Sequence, residues 1–144
     1  MMFVLDTNVV PELRKVRLGK AKANANVTAW TESVDVADLF VSAITIMELE
    51  LGVLTIGLKD ATQGAMLRSW LEQQVLPEFS GRTLPVDAAV ALRCARLRVP
   101  DKRGERDALI AATALVHGMT LVTRNIADFK PTGVTLINPW EISE

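Results

Sequence analysis

The chain reads as an α/β protein, a central parallel β-sheet of about five strands flanked by helices, and three observations predict this. Short apolar runs alternate with longer stretches of helical periodicity along the 144 residues. The short runs are rich in Val, Leu and Thr, which favour strands. Helix start and stop signals fall between them. With no linker, internal repeat or low-complexity tract, residues 1–144 are expected to form a single domain, long enough to bury a core without disulfides.

The elements follow in order. FVLD (3–6) is a run too short for a helix, and it reads as a buried strand ending on Asp6. Thr7 and Asn8 lead into a helix over 8–17. RKVRLGKAKANAN (14–26), polar and rich in Ala, Gly and Asn, is the loosest segment, and a helix over 26–34 follows. LFVSA (39–43) is a strand, and Ser42 stands as a helix cap ahead of AITIMELELGV, which predicts a helix over 42–56. Asp60 opens a helix over 60–79. RTLPV (82–86) is a strand, and Asp87, after Pro85, starts a helix over 86–98. The last long helix, 106–117, ends at His117 before Gly118, where a terminator belongs. LVT (121–123) and VTLIN (134–138) complete the strands.

Composition bounds the function. A hydrophobic fraction of 49% with 23% charged residues is ordinary for a globular protein, and the net charge of −1 supplies no global basic field for nucleic acid. A single cysteine, Cys94 in AVALRCARL, excludes an internal disulfide and reads as a small buried hydrophobe. No basic-then-apolar leader pattern is visible, and no apolar run approaches the roughly 18 residues of a membrane span. A soluble, cytoplasmic protein with no membrane partner is expected.

Ligands of a parallel sheet bind at the carboxyl ends of its strands, where Asp6 sits. Two readings fit Asp6: a cap for the following helix, or a ligand-binding acid. In SAITIMELELGV, Ile44, Met47, Leu51 and Leu54 share one helix face and Ile46, Leu49 and Val53 the other, so both sides are expected to be buried. Glu48 lies between them on a stripe with Thr45, Gly52 and Thr55. Either a cleft or solvent suits it, and it is weakly preferred over Glu50, which Met47 and Leu54 crowd. Asp107 opens the last long helix, where the helix dipole and free amides favour a carboxylate, so a plain cap also fits. LVTRNIADF adds Thr123, Arg124, Asn125 and Asp128 after a strand.

In a parallel sheet these positions can converge on one rim. Two carboxylates about 4 Å apart repel by roughly 4 kcal/mol at an effective dielectric near 20. A hard dication relieves this: Mg²⁺, or Mn²⁺, takes oxygen ligands, usually one or two carboxylates with several waters. Such a site suits phosphodiester hydrolysis, where a metal activates water and offsets charge on phosphate oxygens. No Cys/His cluster competes, and His117 reads as a helix-end residue.

FVLDTNVV, VSAITIMELELGV, DALIAATALVHGMTLVTRNIADF and INPW, in this order and spacing, resemble the PIN-domain ribonucleases, in particular the VapC-type toxins of type II toxin–antitoxin pairs and their FitB-like branch. The resemblance spans nearly the whole chain. It implies a single PIN-like domain, a Mg²⁺-dependent endoribonuclease acting on RNA, homodimerisation, and inhibition by a cognate antitoxin, with higher toxin–antitoxin assemblies open. By that resemblance Asp6 and Asp107 are the metal ligands, directly or through water, and Glu48 is the helical acid that orients or deprotonates the attacking water. Thr7, Asn8 and Thr123 orient these groups. One departure stands out: where many members carry a fourth acid, this chain has Asn125, which other members also have. Asn125 can position water or phosphate but brings no charge, which favours one metal over two, with Asp128 a partial substitute.

Two basic runs are candidates for gripping phosphates: Arg14, Lys15, Arg17, Lys20 and Lys22, and then Arg93, Arg96, Arg98, Lys102, Arg103 and Arg106. Arg14, Lys15, Arg17, Arg103 and Arg106 are the chosen nucleic-acid contacts, and solvated faces remain the alternative. An antitoxin helix could lie along apolar residues of AITIMELELGVLTIGL. A metal-dependent phosphatase is the rival enzyme, but its D-x-D-x-T pattern fails at Asn8. The other rival is a PIN-like protein weakened by Asn125 that acts mainly by binding its partner or nucleic acid.

Overall fold

The computed structural model describes residues 1–19 and 23–141. Five parallel strands run in the order β3-β2-β1-β4-β5. They are β1 (Phe3–Leu5), β2 (Leu39–Ser42), β3 (Thr83–Leu84), β4 (Thr120–Val122) and β5 (Leu136–Ile137). Helices α1 (Val9–Arg17), α2 (Ala25–Ser33), α3 (Ala43–Lys59), α4 (Ala61–Trp70), α5 (Leu76–Glu78), α6 (Ala88–Leu97), α7 (Glu105–His117) and α8 (Ile126–Phe129) connect them. The expected α/β class with a five-stranded parallel sheet is therefore what forms.

Strand alternation divides the core in two. Phe3 and Leu5, with Leu39, Val41 and Val122, pack on one face against α1, α3, α4 and Trp70. Val4 and Leu121 point the other way, onto Ile110, Ala111 and Ala114 of α7 and onto Phe129. Small residues at the α7 contact let it lie close to the sheet, and Ala108 and Ala112 receive Val90 and Cys94 of α6. Cys94 is buried as expected, and burial pushes its thiol above the usual range. Trp30 meets Phe3 edge-on, ring centroids 5.4 Å apart.

Several helix boundaries follow from single residues. The Ser42 hydroxyl accepts the Ile44 N–H (3.0 Å) and starts α3. The Asp60 N–H closes α3 on the Ile56 carbonyl (2.8 Å), while its carboxylate accepts the Gln63 N–H (3.0 Å) and caps α4. The αα-hairpin that results is tight: a methyl built on Gly64 would lie 2.6 Å from the Gly57 Cα. Gly118, at φ 64°, ends α7 in the left-handed region.

Some expected boundaries shift: the helix expected over 42–56 runs on to Lys59. The helix expected over 60–79 is broken by a π-helical turn at Leu71–Val75. The edge strands β3 and β5 are shorter than their apolar runs; Pro85 has no N–H to extend β3. The short α8, a single turn, is below the length at which periodicity is visible. A further difference concerns α3. Its Leu49 and Val53 side is buried, but Met47, Leu51 and Leu54 are 42, 44 and 54% exposed, so the helix is covered on one side only in the single chain. Among the described residues no helix is long and apolar enough to cross a membrane.

Candidate active site

β1 leaves the sheet at Asp6, beside the end of β4, and the Asp6 N–H still pairs with the Val122 carbonyl (2.8 Å). The Asp6 side chain is buried, and it does not cap α1. Its Oδ1 accepts the Thr7 N–H (2.8 Å) and its Oδ2 accepts the Thr123 hydroxyl (2.7 Å). Asn8 forms no side-chain cap either; its Oδ1 takes only a long bond from the Arg124 N–H (3.5 Å). Of the two readings of Asp6, the bonds remove helix capping.

α3 starts at the same rim after β2 and brings Glu48 back over Thr7. The Thr7 hydroxyl donates to Glu48 Oε1 (2.6 Å) and lies 3.2 Å from the buried Thr45 hydroxyl. Since Thr7 has one proton and spends it on Glu48, Thr45 is the donor in the second bond. Thr45, one helical turn before Glu48, escaped the sequence reading as a site residue, although its place on the Glu48 stripe was visible. Glu50 is turned away and forms a two-pronged pair with Arg68 of α4, which holds its carboxyl below the usual range.

α7 runs antiparallel to the strands, so its first turn returns to this rim and carries Asp107. No side chain caps α7. Burial raises the affinity of Asp6 for its proton, against the Thr123 and Thr7 hydrogen bonds, and the charges of Asp107 and Glu48 raise it further. Asp107 is raised by burial first, then by Glu48 and Asp128, with Arg106 opposing. Asp6, Glu48, Asp107 and Asp128 thus share one field. Arg106 supplies one countercharge, 3.6 Å from Glu48 Oε2.

Among the described residues no group of three or more Asp, Glu, His or Cys side chains closes around a single ion position. Asn125 reaches the site through its backbone: its N–H donates to Thr123 Oγ1 (3.0 Å), the hydroxyl that holds Asp6.

The early basic run is largely occupied. Arg14 lies over the Trp70 ring (5.7 Å), Lys15 pairs with Glu12 (3.4 Å) and Arg17 with Glu78. Lys20 and Lys22 lie outside the described residues. Arg103 turns inward, its Nε donating to the Leu97 carbonyl (2.7 Å), and so braces the loop before α7. Of the five chosen basic residues, only Arg106 meets the acids.

A family model described as PIN domain matches residues 3–132. The chain belongs to the PIN-domain family. Toxin FitB of Neisseria gonorrhoeae is 38% identical over 144 residues, 96% of this chain and 99% of that protein. VapC ribonuclease Y4jK of Sinorhizobium fredii is 37% identical over 145 residues, 97% of this chain and 99% of its own. Among solved structures, FitAcB from Neisseria gonorrhoeae matches with a TM-score of 0.85 at 37% identity, covering 98% of this chain and 100% of that one. Within the PIN-domain family the chain is of the VapC type.

Proposed function

We propose that this PIN-domain protein is the toxin of a type II toxin–antitoxin pair, an endoribonuclease that hydrolyses RNA phosphodiester bonds at an acidic Mg²⁺ site and is inhibited by its cognate antitoxin. One observation carries the site assignment: Asp6, Thr7, Glu48 and Thr123, from three separate segments, are joined by hydrogen bonds within the reach of the Asp107 charge.

Asp6 and Asp107 would hold the metal, directly or through water, and when bound it would supply activation of a water and countercharge for the phosphate oxygens. Thr123 and the Thr7 amide fix the Asp6 carboxylate, so its orientation is set before substrate arrives. The Thr45–Thr7 relay fixes Glu48 through Oε1, so that Oε2, with Arg106 3.6 Å away, is the oxygen to take the proton of the attacking water. Asn125 positions that water or the phosphate. The water oxygen bonds to phosphorus as an RNA oxygen departs on the opposite side.

A groove of about 320 Å³ between α1 and the α3–α4 hairpin, lined by Leu49, Gly52, Ile56, Leu67 and Trp70, runs up to Glu48. An amphipathic antitoxin segment lying there ends beside the acids, which couples partner binding to inhibition. A second copy of this chain covers the exposed Met47, Leu51, Leu54 and Leu58 side of α3.

The test is cleavage of RNA in Mg²⁺ with and without EDTA. Asp107→Ala and Asp6→Asn should each reduce cleavage at least about 1,000-fold while keeping the circular dichroism of the parent. Cleavage by either variant at the parent's rate would overturn the assignment, and a parent that binds RNA without Mg²⁺-dependent cleavage would favour a binding protein.

A further inference from the structure

An open cleft of about 450 Å³ extends from Asn125, the one lining residue that the chemistry above uses, and is lined otherwise by Arg124, Asp128, Lys130, Asn138 and Glu141. It begins two hydrogen bonds from Asp6, through the Asn125 N–H and the Thr123 hydroxyl. Arg124 is fixed at its rim from several directions. The Asn138 amide donates to the Arg124 carbonyl (3.4 Å), and the Arg124 N–H reaches Asn8 (3.5 Å). Its guanidinium carbon sits 5.2 Å from the centroid of the Trp140 ring. Trp140 is itself anchored, its N–H on Asn138 Oδ1 (3.0 Å) and its carbonyl on the Asn26 amide (2.8 Å). INPW, the motif near the end of the chain, thus serves as a mount for Arg124.

Among the described residues neither Arg124 nor Lys130 has a carboxylate within 4.0 Å, so both charges are left for a ligand. An aromatic ring under a guanidinium covers one face and leaves the N–H edge free, which suits bidentate capture of a phosphate. Asp128 and Glu141 are the two lining groups that oppose an anion, against Arg124 and Lys130. The volume exceeds that of a bare phosphate and is in the range of small-molecule sites.

We infer that this cleft holds the ribonucleotide next to the scissile bond, with Arg124 and Lys130 gripping its phosphate. The inference rests on the ribonuclease reading above and adds to it where the strand runs. Arg124 is placed for this by Trp140, which acts as a positioning residue.

The test measures binding of a fluorescent single-stranded decaribonucleotide in EDTA, by anisotropy over a series of salt concentrations, and separately KM and kcat of its cleavage in Mg²⁺. Arg124→Gln should weaken binding about tenfold and reduce the slope of log K against log salt by about 0.7, the loss of one phosphate contact to a single strand. Lys130→Gln should act in the same direction, Glu141→Gln should tighten binding, and KM should rise more than kcat falls. Trp140→Phe keeps a ring under Arg124 and should retain the parent slope, while Trp140→Ala should lose it. A parent that cleaves, with Arg124→Gln unchanged in affinity and slope, overturns the subsite and leaves the nuclease intact. A parent that binds with an Arg124-dependent slope and does not cleave overturns the nuclease and leaves the subsite. A parent that does neither overturns both.

Discussion

Asp6 is held by groups that favour its charge and surrounded by groups that oppose it. The Thr123 hydroxyl and Thr7 amide stabilise the carboxylate, but burial outweighs them, and Asp107 and Glu48 add repulsion. Asp6→Asn keeps the Oδ1 contact with the Thr7 N–H and removes the opposed charge. In EDTA it should therefore stabilise the fold by about 1 kcal/mol, a rise of about 4 °C in Tm, although it abolishes cleavage. A fall in the EDTA Tm would show that the lost Thr123 bond outweighs the charge. At this scale the placement of the acids was legible in part. Asp6, Glu48 and Asp107 sit where strand ends and helix starts return to one rim, but periodicity set Glu50 aside for a crowding that does not occur: Met47 and Leu54 are exposed, and Arg68 draws Glu50 away instead. The fates of the basic residues were not legible. Whether Arg17 finds Glu78, or Arg103 the Leu97 carbonyl, depends on segments brought together by folding.

The α3–α4 hairpin shows what helix periodicity leaves out. Both helices and the Asp60 cap between them were visible, but not that Gly64 meets the Gly57 backbone. The two glycines are unequal: a methyl at Gly64 would lie 2.6 Å from the Gly57 Cα, whereas one at Gly57 would stand 3.9 Å from the Gly64 Cα. Gly64→Ala should therefore destabilise the protein by about 1–3 kcal/mol, as overpacking does. Gly57→Ala should be neutral or stabilise by up to about 1 kcal/mol, since alanine favours helix. Urea denaturation of the pair decides this, and equal losses at both positions would count against the close approach. The exposed side of α3 was misjudged for a related reason. An apolar helix face looks the same in sequence whether its own chain or a neighbour covers it. Leu54→Glu should convert a dimer to a monomer in sedimentation experiments with Tm little changed, and an unaltered sedimentation coefficient would remove this face from the dimer contact.

For the whole molecule, the acidic rim links stability to pH and metal. Asp6 and Asp107 both bind their protons more tightly in the fold than at the ordinary aspartate value of 3.8. The folded chain then holds more protons than the unfolded one across that window. Metal-free stability falls as pH rises from 3.8 through the raised values, then levels off. A dication takes over the protons' role once both groups are ionised. The stability gained from Mg²⁺, read as a rise in Tm, should be near zero at about pH 4 and increase towards about pH 7, where it reaches roughly 2.7 kcal/mol at 100 times the dissociation constant. Scanning calorimetry at several pH values measures it; a Mg²⁺ effect independent of pH would place the ion elsewhere.

The bond from Thr123 to Asp6 spans 117 positions of the chain, because β1 is flanked by β4 and not only by β2. A ribosome making this protein therefore adds the steadying hydroxyl 117 residues after the acid. Until β4 has emerged and zipped alongside β1, the nascent chain lacks the assembled acidic rim.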